Sequence, residues 1–221
     1  MIVNTAGGVA GGDAYRIEVA LKEGAEVEAT TTAAEKIYRT DAAPARIETR
    51  LSLAPRASLF WLPQETLLFD GAGLERRLAV EMAGDASLIL VESLVFGRLA
   101  RGESRIEAGF RDSWRIRRDG RLVFADETRL AHAGAALDRM AVGAGARALA
   151  AIVAAAPGVE ARLRDLRAAL ETASEEVEAG ASAFDGLIVA RFLSASPARL
   201  RGAVIASILA LGRRRPPRLW Q

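Results

Sequence analysis

From Ala14 the chain alternates, with Tyr15, Ile17, Val19 and Leu21 on one side and Arg16, Glu18 and Lys22 interleaved, the period-two pattern of a half-buried strand. Glu23-Gly24 turns it, and a second strand runs through Val27, Ala29 and Thr31. The pattern returns with Ile47, Thr49, Leu51 and Leu53 against Arg46, Glu48, Arg50 and Ser52, then the Ala54-Pro55-Arg56 turn and the apolar run Leu59-Phe60-Trp61-Leu62. It returns again with Leu74, Leu78, Val80 and Met82 on one face, where Arg76 intrudes, followed by Gly84-Asp85 and Leu88-Ile89-Leu90-Val91. Aligned, these pieces are a repeat of about thirty residues. An alternating strand ends at Leu21, Leu53 or Met82, and after a turn Ala25, Ala57 or Ala86 opens a second strand that runs to Glu35, Glu65 or Glu92. Strand repeats of that length bury their apolar faces only against their neighbours, which predicts a mainly β fold of solenoid-like, layered sheets.

Further strands are predicted around Ile106, Ala108 and Phe110, at Trp114 and Ile116, and after the Asp119-Gly120 hairpin turn from Leu122 to Ala125. Val159 to Ala173 reads as a helix with Leu163, Leu166 and Leu170 on one stripe. Leu187 to Phe192 reads as a buried strand, and Pro197 opens a last helix whose inner face carries Leu200, Val204, Ile208 and Leu211 before Gly212 stops it. Two helices in the C-terminal half, after so many strands, are expected to pack on one side of the β body.

Composition narrows the chemistry. The 221 residues are 51 % hydrophobic and 26 % charged, enough to bury a core, and a net charge of +2 is no nucleic-acid signature. With no cysteine and only His132, disulfides and a closed Cys/His zinc site are excluded within one chain, and His132 is read as a hydrogen-bonded structural residue. No GxSxG-type elbow supplies a nucleophile, so hydrolase chemistry has no support. No signal peptide or membrane-length apolar run is evident, so a cytoplasmic protein is expected, with no membrane partner.

Gly7-Gly8 and Gly11-Gly12 allow positive φ or a close approach within six residues, a loop fit for a contact or simply a turn; Asp13 and a following strand argue against a phosphate cradle. The acidic residues Asp13, Glu35, Glu65, Asp70, Glu92, Glu103 and Asp126 either pair with the abundant arginines or offer oxygen ligands, which hold divalent ions loosely and exchange them. If the repeat stays in register, Glu35, Glu65 and Glu92 fall near one another in successive layers, with Asp13 at the head of the stack. Glu92 and Glu103 flank Arg98 and Arg101, either a docking or conduit-lining loop or a solvated hairpin. The basic run from Arg213 to Arg218 is a solvated terminus or a site for an acidic partner, and Trp61, Trp114 and Trp220 read as packing residues.

GGVAGGD at Gly7 to Asp13, TTTAAEKIYR at Thr30 to Arg39, LPQETLLFDGA at Leu62 to Ala72, VESLVFGRLARGE at Val91 to Glu103 and the closing PRLWQ resemble, in order and spacing, the signature blocks of the urease accessory protein UreD (UreH) family. The resemblance covers essentially residues 1–221 as one UreD-like domain, and implies that strands which family members carry before the glycine block are absent here. It also implies a strand in the alanine-rich stretch 144–156. In function it implies a non-enzymatic scaffold in urease maturation that binds UreF, UreG through UreF, and apo-urease, and helps nickel reach the active site. On that reading Asp13, Glu35, Glu65 and Glu92 are expected to form a transient nickel path with no tightly bound cofactor. Tyr38, Arg39, Asp70, Arg98 and Glu103, which lie in the same blocks, are the expected partner contacts. Two other classes stay open beside it: a β-helix carbohydrate-active enzyme with paired carboxylates, and a protein-binding solenoid without metal traffic.

Overall fold

The computed structural model describes residues 1–103, 106–173, 175–212, 215 and 218–220. Its first coil is β1 (Ala14–Leu21), β2 (Glu26–Ala29) and β3 (Glu35–Ile37); the second is β4 (Ala45–Leu53), β5 (Ser58–Trp61) and β6 (Thr66–Leu68); the third is β7 (Gly73–Met82) and the long β8 (Ser87–Phe96). Each coil lies parallel on the next, and Leu21, Leu53 and Met82 fall in one register column, as the repeat predicts. The same turn recurs at each first corner, closed by Ala25 N–H to Lys22 O, Ala57 N–H to Ala54 O and Ala86 N–H to Ala83 O. The corners are also tied to one another, Gly24 N–H donating to Pro55 O at 3.0 Å and Arg56 N–H to Asp85 Oδ1 at 3.0 Å.

The rest of the chain extends both sheets. β9 (Gly109–Arg118) pairs parallel with β7, and β10 (Arg121–Leu130) returns beside it through Asp119-Gly120, both at positive φ as a tight hairpin requires. After α1 (Ala133–Asp138), β11 (Ala148–Ala155) adds antiparallel to β8. α2 (Leu163–Glu171) follows, then β12 (Val177–Phe184) and β13 (Leu187–Ser194), with β13 between β11 and β12, and last α3 (Pro197–Ala210). One sheet is therefore ordered β1-β4-β7-β9-β10, and the other β12-β13-β11-β8-β5-β2 with β3 and β6 beside the far half of β8. The fold is mainly β and solenoid-like, with its helices in the C-terminal half.

Three apolar clusters hold these layers. Between the sheets, Leu51, Leu78, Leu90, Ile116 and Val153 pack at one end and Ile47, Leu74, Leu94, Phe96 and Phe110 at the other. Outside the second sheet, Val91, Ile152, Ile188 and Phe192 meet Leu166 of α2 and Leu200, Val204 and Ile208 of α3. Both expected helices thus pack on one side. α2 is shorter than the predicted span because residues 159–162 form a 3-10 turn after Gly158 at φ 69°. Two elements were not read from sequence. The residues of β12 that pack under the helices are Val177, Ala179, Ala181 and Ala183, mostly too small to mark a strand, and α1 is only six residues long.

Of the basic tail, residues 213, 214, 216 and 217 lie outside the described residues, as does Gln221 of the closing block. Trp220 does not: it is buried, donates from Nε1 to Leu62 O at 3.2 Å, and carries Arg201 of α3 over its ring at 4.9 Å. Gln64 Nε2 and Arg201 Nη2 each donate to Leu219 O at 3.0 Å, so the end of the chain is latched to the corner between β5 and β6. Trp61 and Trp114 are buried as well. Trp220→Ala should lower stability by about 3 kcal/mol and speed limited proteolysis after residue 211; an unchanged denaturation midpoint with unchanged cleavage would contradict the latch.

Candidate functional site

Inward positions alternate along every strand, so a charged residue at one of them must sit between the sheets. β7 places Arg76 between the inward Leu74 and Leu78, β8 places Glu92 between Leu90 and Leu94, and β9 places Asp112 between Phe110 and Trp114. Arg76 and Asp112 are register partners, and Glu92 faces them from the opposite sheet. The three side chains are only 5 %, 8 % and 8 % exposed.

Arg76 donates from Nε and Nη2 to the two oxygens of Asp112 at 3.1 and 2.6 Å, and from Nη1 to Glu92 Oε2 at 2.5 Å. Two indoles complete the set: Trp61 Nε1 donates to Glu92 Oε1 at 3.0 Å and Trp114 Nε1 to Asp112 Oδ2 at 2.8 Å. A bidentate guanidinium with further donors on each carboxylate is the arrangement that makes buried charge tolerable. One cation nevertheless faces two anions. Burial pushes the Glu92 carboxyl above its ordinary range, with the Arg76 charge and the Trp61 hydrogen bond working against it and the Asp112 charge with it. Burial opposes the Arg76 charge too, yet Asp112 and Glu92 outweigh it and raise the Arg76 pKa.

An interior cleft of about 410 Å³ opens from this cluster. It exists because the row continuing from Glu92 across the second sheet runs Ala151, Arg191, Gly180, two of them too small to fill the gap opposite Asp112 and Thr128. Arg191 pairs with Asp126 across the two sheets at 3.0 Å where the cleft opens, and Glu178 lines it too. Carboxylates are therefore spaced from the buried cluster to the exterior, all hard oxygen ligands suited to weak, exchangeable cation contacts. Among the described residues no group of three or more acidic or imidazole side chains converges on a point.

The four carboxylates expected to form a row are not brought together. Asp13 Oδ2 accepts from Ala10 N–H at 2.8 Å inside the glycine loop, and Glu35 accepts from Asn4 Nδ2 at 2.8 Å. Glu65 pairs with Arg201 on the helical side, and Glu92 points between the sheets. The registry fails because Glu35 pairs with Thr66 and Thr66 with Leu94, which leaves Glu65 on the opposite face and Glu92 two residues earlier. The glycine loop does make close contacts, within the chain: a Cβ on Gly8 would come 2.5 Å from the Tyr38 ring, and one on Gly11 1.9 Å from Thr40 Oγ1.

The expected partner contacts fare differently. Phe69, which the sequence did not single out, is the centre of a surface cluster: Tyr38 meets it edge-on at 5.4 Å and Arg98 stacks over it at 4.3 Å. Glu103 pairs with Arg98 and accepts its backbone N–H at 3.0 Å, and its pKa is held at about 2, chiefly by the Arg98 side chain. Asp70 fixes the same region by accepting from Glu107 N–H at 2.9 Å, while Arg39 packs along Gly71 and pairs with Asp41. The Glu92–Glu103 loop is thus divided, one carboxylate buried on Arg76 and the other at the surface on Arg98. His132 lies at the surface against Glu107.

Two outcomes follow for the cluster. Arg76→Met should cost about 3–5 kcal/mol, because two buried carboxylates lose their counter-ion, and adding Glu92→Gln and Asp112→Asn should recover most of it while keeping acceptors for both indoles; a triple variant as unstable as the single one would contradict this. Because the raised Glu92 carboxyl holds a proton in the folded state that the unfolded chain has released, stability should fall as pH rises from the ordinary glutamate range through the raised value, then level off. Denaturant midpoints across pH should trace that decline in the wild type and a flatter line in Glu92→Gln; identical profiles would contradict it.

Comparison with known proteins gives the chain's family. Residues 1–221 match the family described as UreD urease accessory protein. The whole chain is 52 % identical over 221 residues to the urease accessory protein UreD of Beijerinckia indica subsp. indica, spanning 82 % of that protein. It is 51 % identical over 225 residues to that of a Methylobacterium species, spanning 80 % of it, and 45 % identical over 221 residues to that of Rhodopseudomonas palustris, spanning 77 %. With the match unbroken from end to end, the chain belongs to the UreD urease accessory protein family.

Proposed function

We propose that this chain is a non-catalytic scaffold of urease maturation that binds UreF, and UreG through UreF, docks on apo-urease, and assists the passage of nickel to the urease active site. The observation that carries the reading is the family match over residues 1–221. The cleft supports the nickel part. It is lined by Glu92, Asp112, Asp126 and Glu178, the first three held on Arg76 and Arg191, so an ion would be held by oxygen ligands only in exchange for an arginine and therefore weakly. Of the four carboxylates expected on a nickel path, Glu92 is the one in this cleft; Asp13, Glu35 and Glu65 would have to act singly, from separate places.

The Tyr38–Phe69–Arg98 cluster, with Leu99 exposed beside it, supports the scaffold part, because aromatic and arginine side chains at a surface are the anchors that protein partners bury. A glycosidase needs two carboxylates free to flank a sugar in an open groove. Glu92 and Asp112 instead share one guanidinium and are buried, which weighs against that alternative. No described helix is long and apolar enough to cross a membrane.

The test is co-expression of the chain with urease subunits and the accessory proteins. Phe69→Ala combined with Arg98→Glu should abolish co-purification of UreF, a loss of at least about tenfold, while the purified chain keeps its denaturation midpoint within about 1 kcal/mol. UreF retained at the wild-type level by this variant would refute the docking site, and no UreF bound even to the wild type would refute the scaffold reading.

A further inference from the structure

The outer face of the five-stranded sheet is a grid whose columns are β1, β4, β7, β9 and β10. α2 and α3 pack on the other sheet, against β11, β12 and β13, and the outward side chains of this one are exposed or half-buried. The printed registers give its rows. One reads Arg16, Glu48, Arg77, Ser113, Glu127 and the next Glu18, Arg50, Ala79, Arg115, Ala125. The rows on either side add Arg46, Glu75, Arg111 and Arg129, and Glu81 with Arg117. Eight arginines therefore meet five glutamates, and Leu122 is the one large apolar side chain in the four rows.

The pairing within the grid leaves a remainder. Glu48 takes Arg16 and Arg50, Glu75 takes Arg46, Glu127 takes Arg111, and Glu81 takes Arg117. Among the described residues, Arg77, Arg115 and Arg129 have no carboxylate partner; Arg115 donates only to Ser113 Oγ and to the carbonyls of Trp114 and Asp126. Arg77 and Arg115 stand on adjacent strands at the middle of the face, with the small Ser113 and Ala79 beside them. They border a hollow of about 160 Å³ together with Arg111 and Ser113, and Glu75 and Glu127 line it too, each held on an arginine of its own, so arginines outnumber carboxylates around it.

From this arrangement we propose that the outer face of the five-stranded sheet is a docking surface for an acidic protein surface, whose carboxylates seat between Arg77 and Arg115. A nucleic acid fits less well. No outward aromatic side chain on these rows offers a base a stacking platform. Glu75 and Glu127 beside the hollow fix the register in which the partner's carboxylates seat, since a shift sets like charges opposite one another. The surface is the outer side of the sheet whose inner side lines the cleft, with Arg76 bordering both, and its recognition chemistry does not depend on the maturation reading.

The experiment uses the full chain at low salt with two probes, a short peptide of alternating Glu and Ala and a short DNA duplex. The peptide should bind, and Arg77→Glu with Arg115→Glu should weaken it by at least about tenfold. Arg164→Glu, a substitution on α2 where the side chain is 93 % exposed, should leave binding unchanged. No peptide binding by the wild type, an equal loss in the Arg164→Glu control, or tighter binding of the duplex than of the peptide would each overturn the proposal. Urease activation by the Arg77→Glu/Arg115→Glu variant is read separately, so failure of the peptide test leaves the maturation reading standing or falling on its own assay.

Discussion

A guanidinium buried between two sheets has to be answered from both of them. Arg76 is answered by Asp112 beside it and Glu92 across from it, and this fixes where the sheets face each other as firmly as an apolar contact but with far stricter geometry. The cluster lies at the boundary between the two apolar clusters of the interior, replacing one inward residue on each of three strands. A stacked-coil body could fill that level with leucine. It holds three charges and two indole donors instead, and beside them the small Ala151 and Gly180 leave the cleft open.

Much of the body was legible because its information is local. The columns Leu21–Leu53–Met82 and the recurrent corner turns could be read as a repeat, and Pro197 and Gly212 mark the two ends of the last helix by backbone preference alone. β12 could not be read, since alanine and glycine bury too little to leave a period. The site was half legible. Arg76 stands out as a charge on an apolar face and Glu92 was named among the acidic residues, but Asp112, in the same phase between Phe110 and Trp114, was not singled out, and only the parallel pairing of β7 and β9 says that it meets Arg76. The stack of glutamates failed for a related reason. Five residues separate Trp61 from Thr66 but four separate their partners Leu90 and Leu94, and such a slip turns side chains to the other face of the sheet.

On the proposed reading the three regions would divide the work of a maturation scaffold. The Phe69 cluster presents aromatic area at the surface, the sheet face presents an excess of arginine, and the cleft carries carboxylates from its buried end to its mouth.

The central claim is that the interior carboxylates serve nickel passage beyond their part in stability, and the nickel content of urease matured by a stability-matched variant tests it most directly. Urease co-expressed with the accessory proteins and Arg76→Met/Glu92→Gln/Asp112→Asn should assemble and co-purify with the chain yet contain at least about tenfold less nickel than with the wild type, a loss consistent with removing charged oxygen ligands. Nickel at the wild-type level in that urease would contradict the account and leave the cluster a structural pin alone.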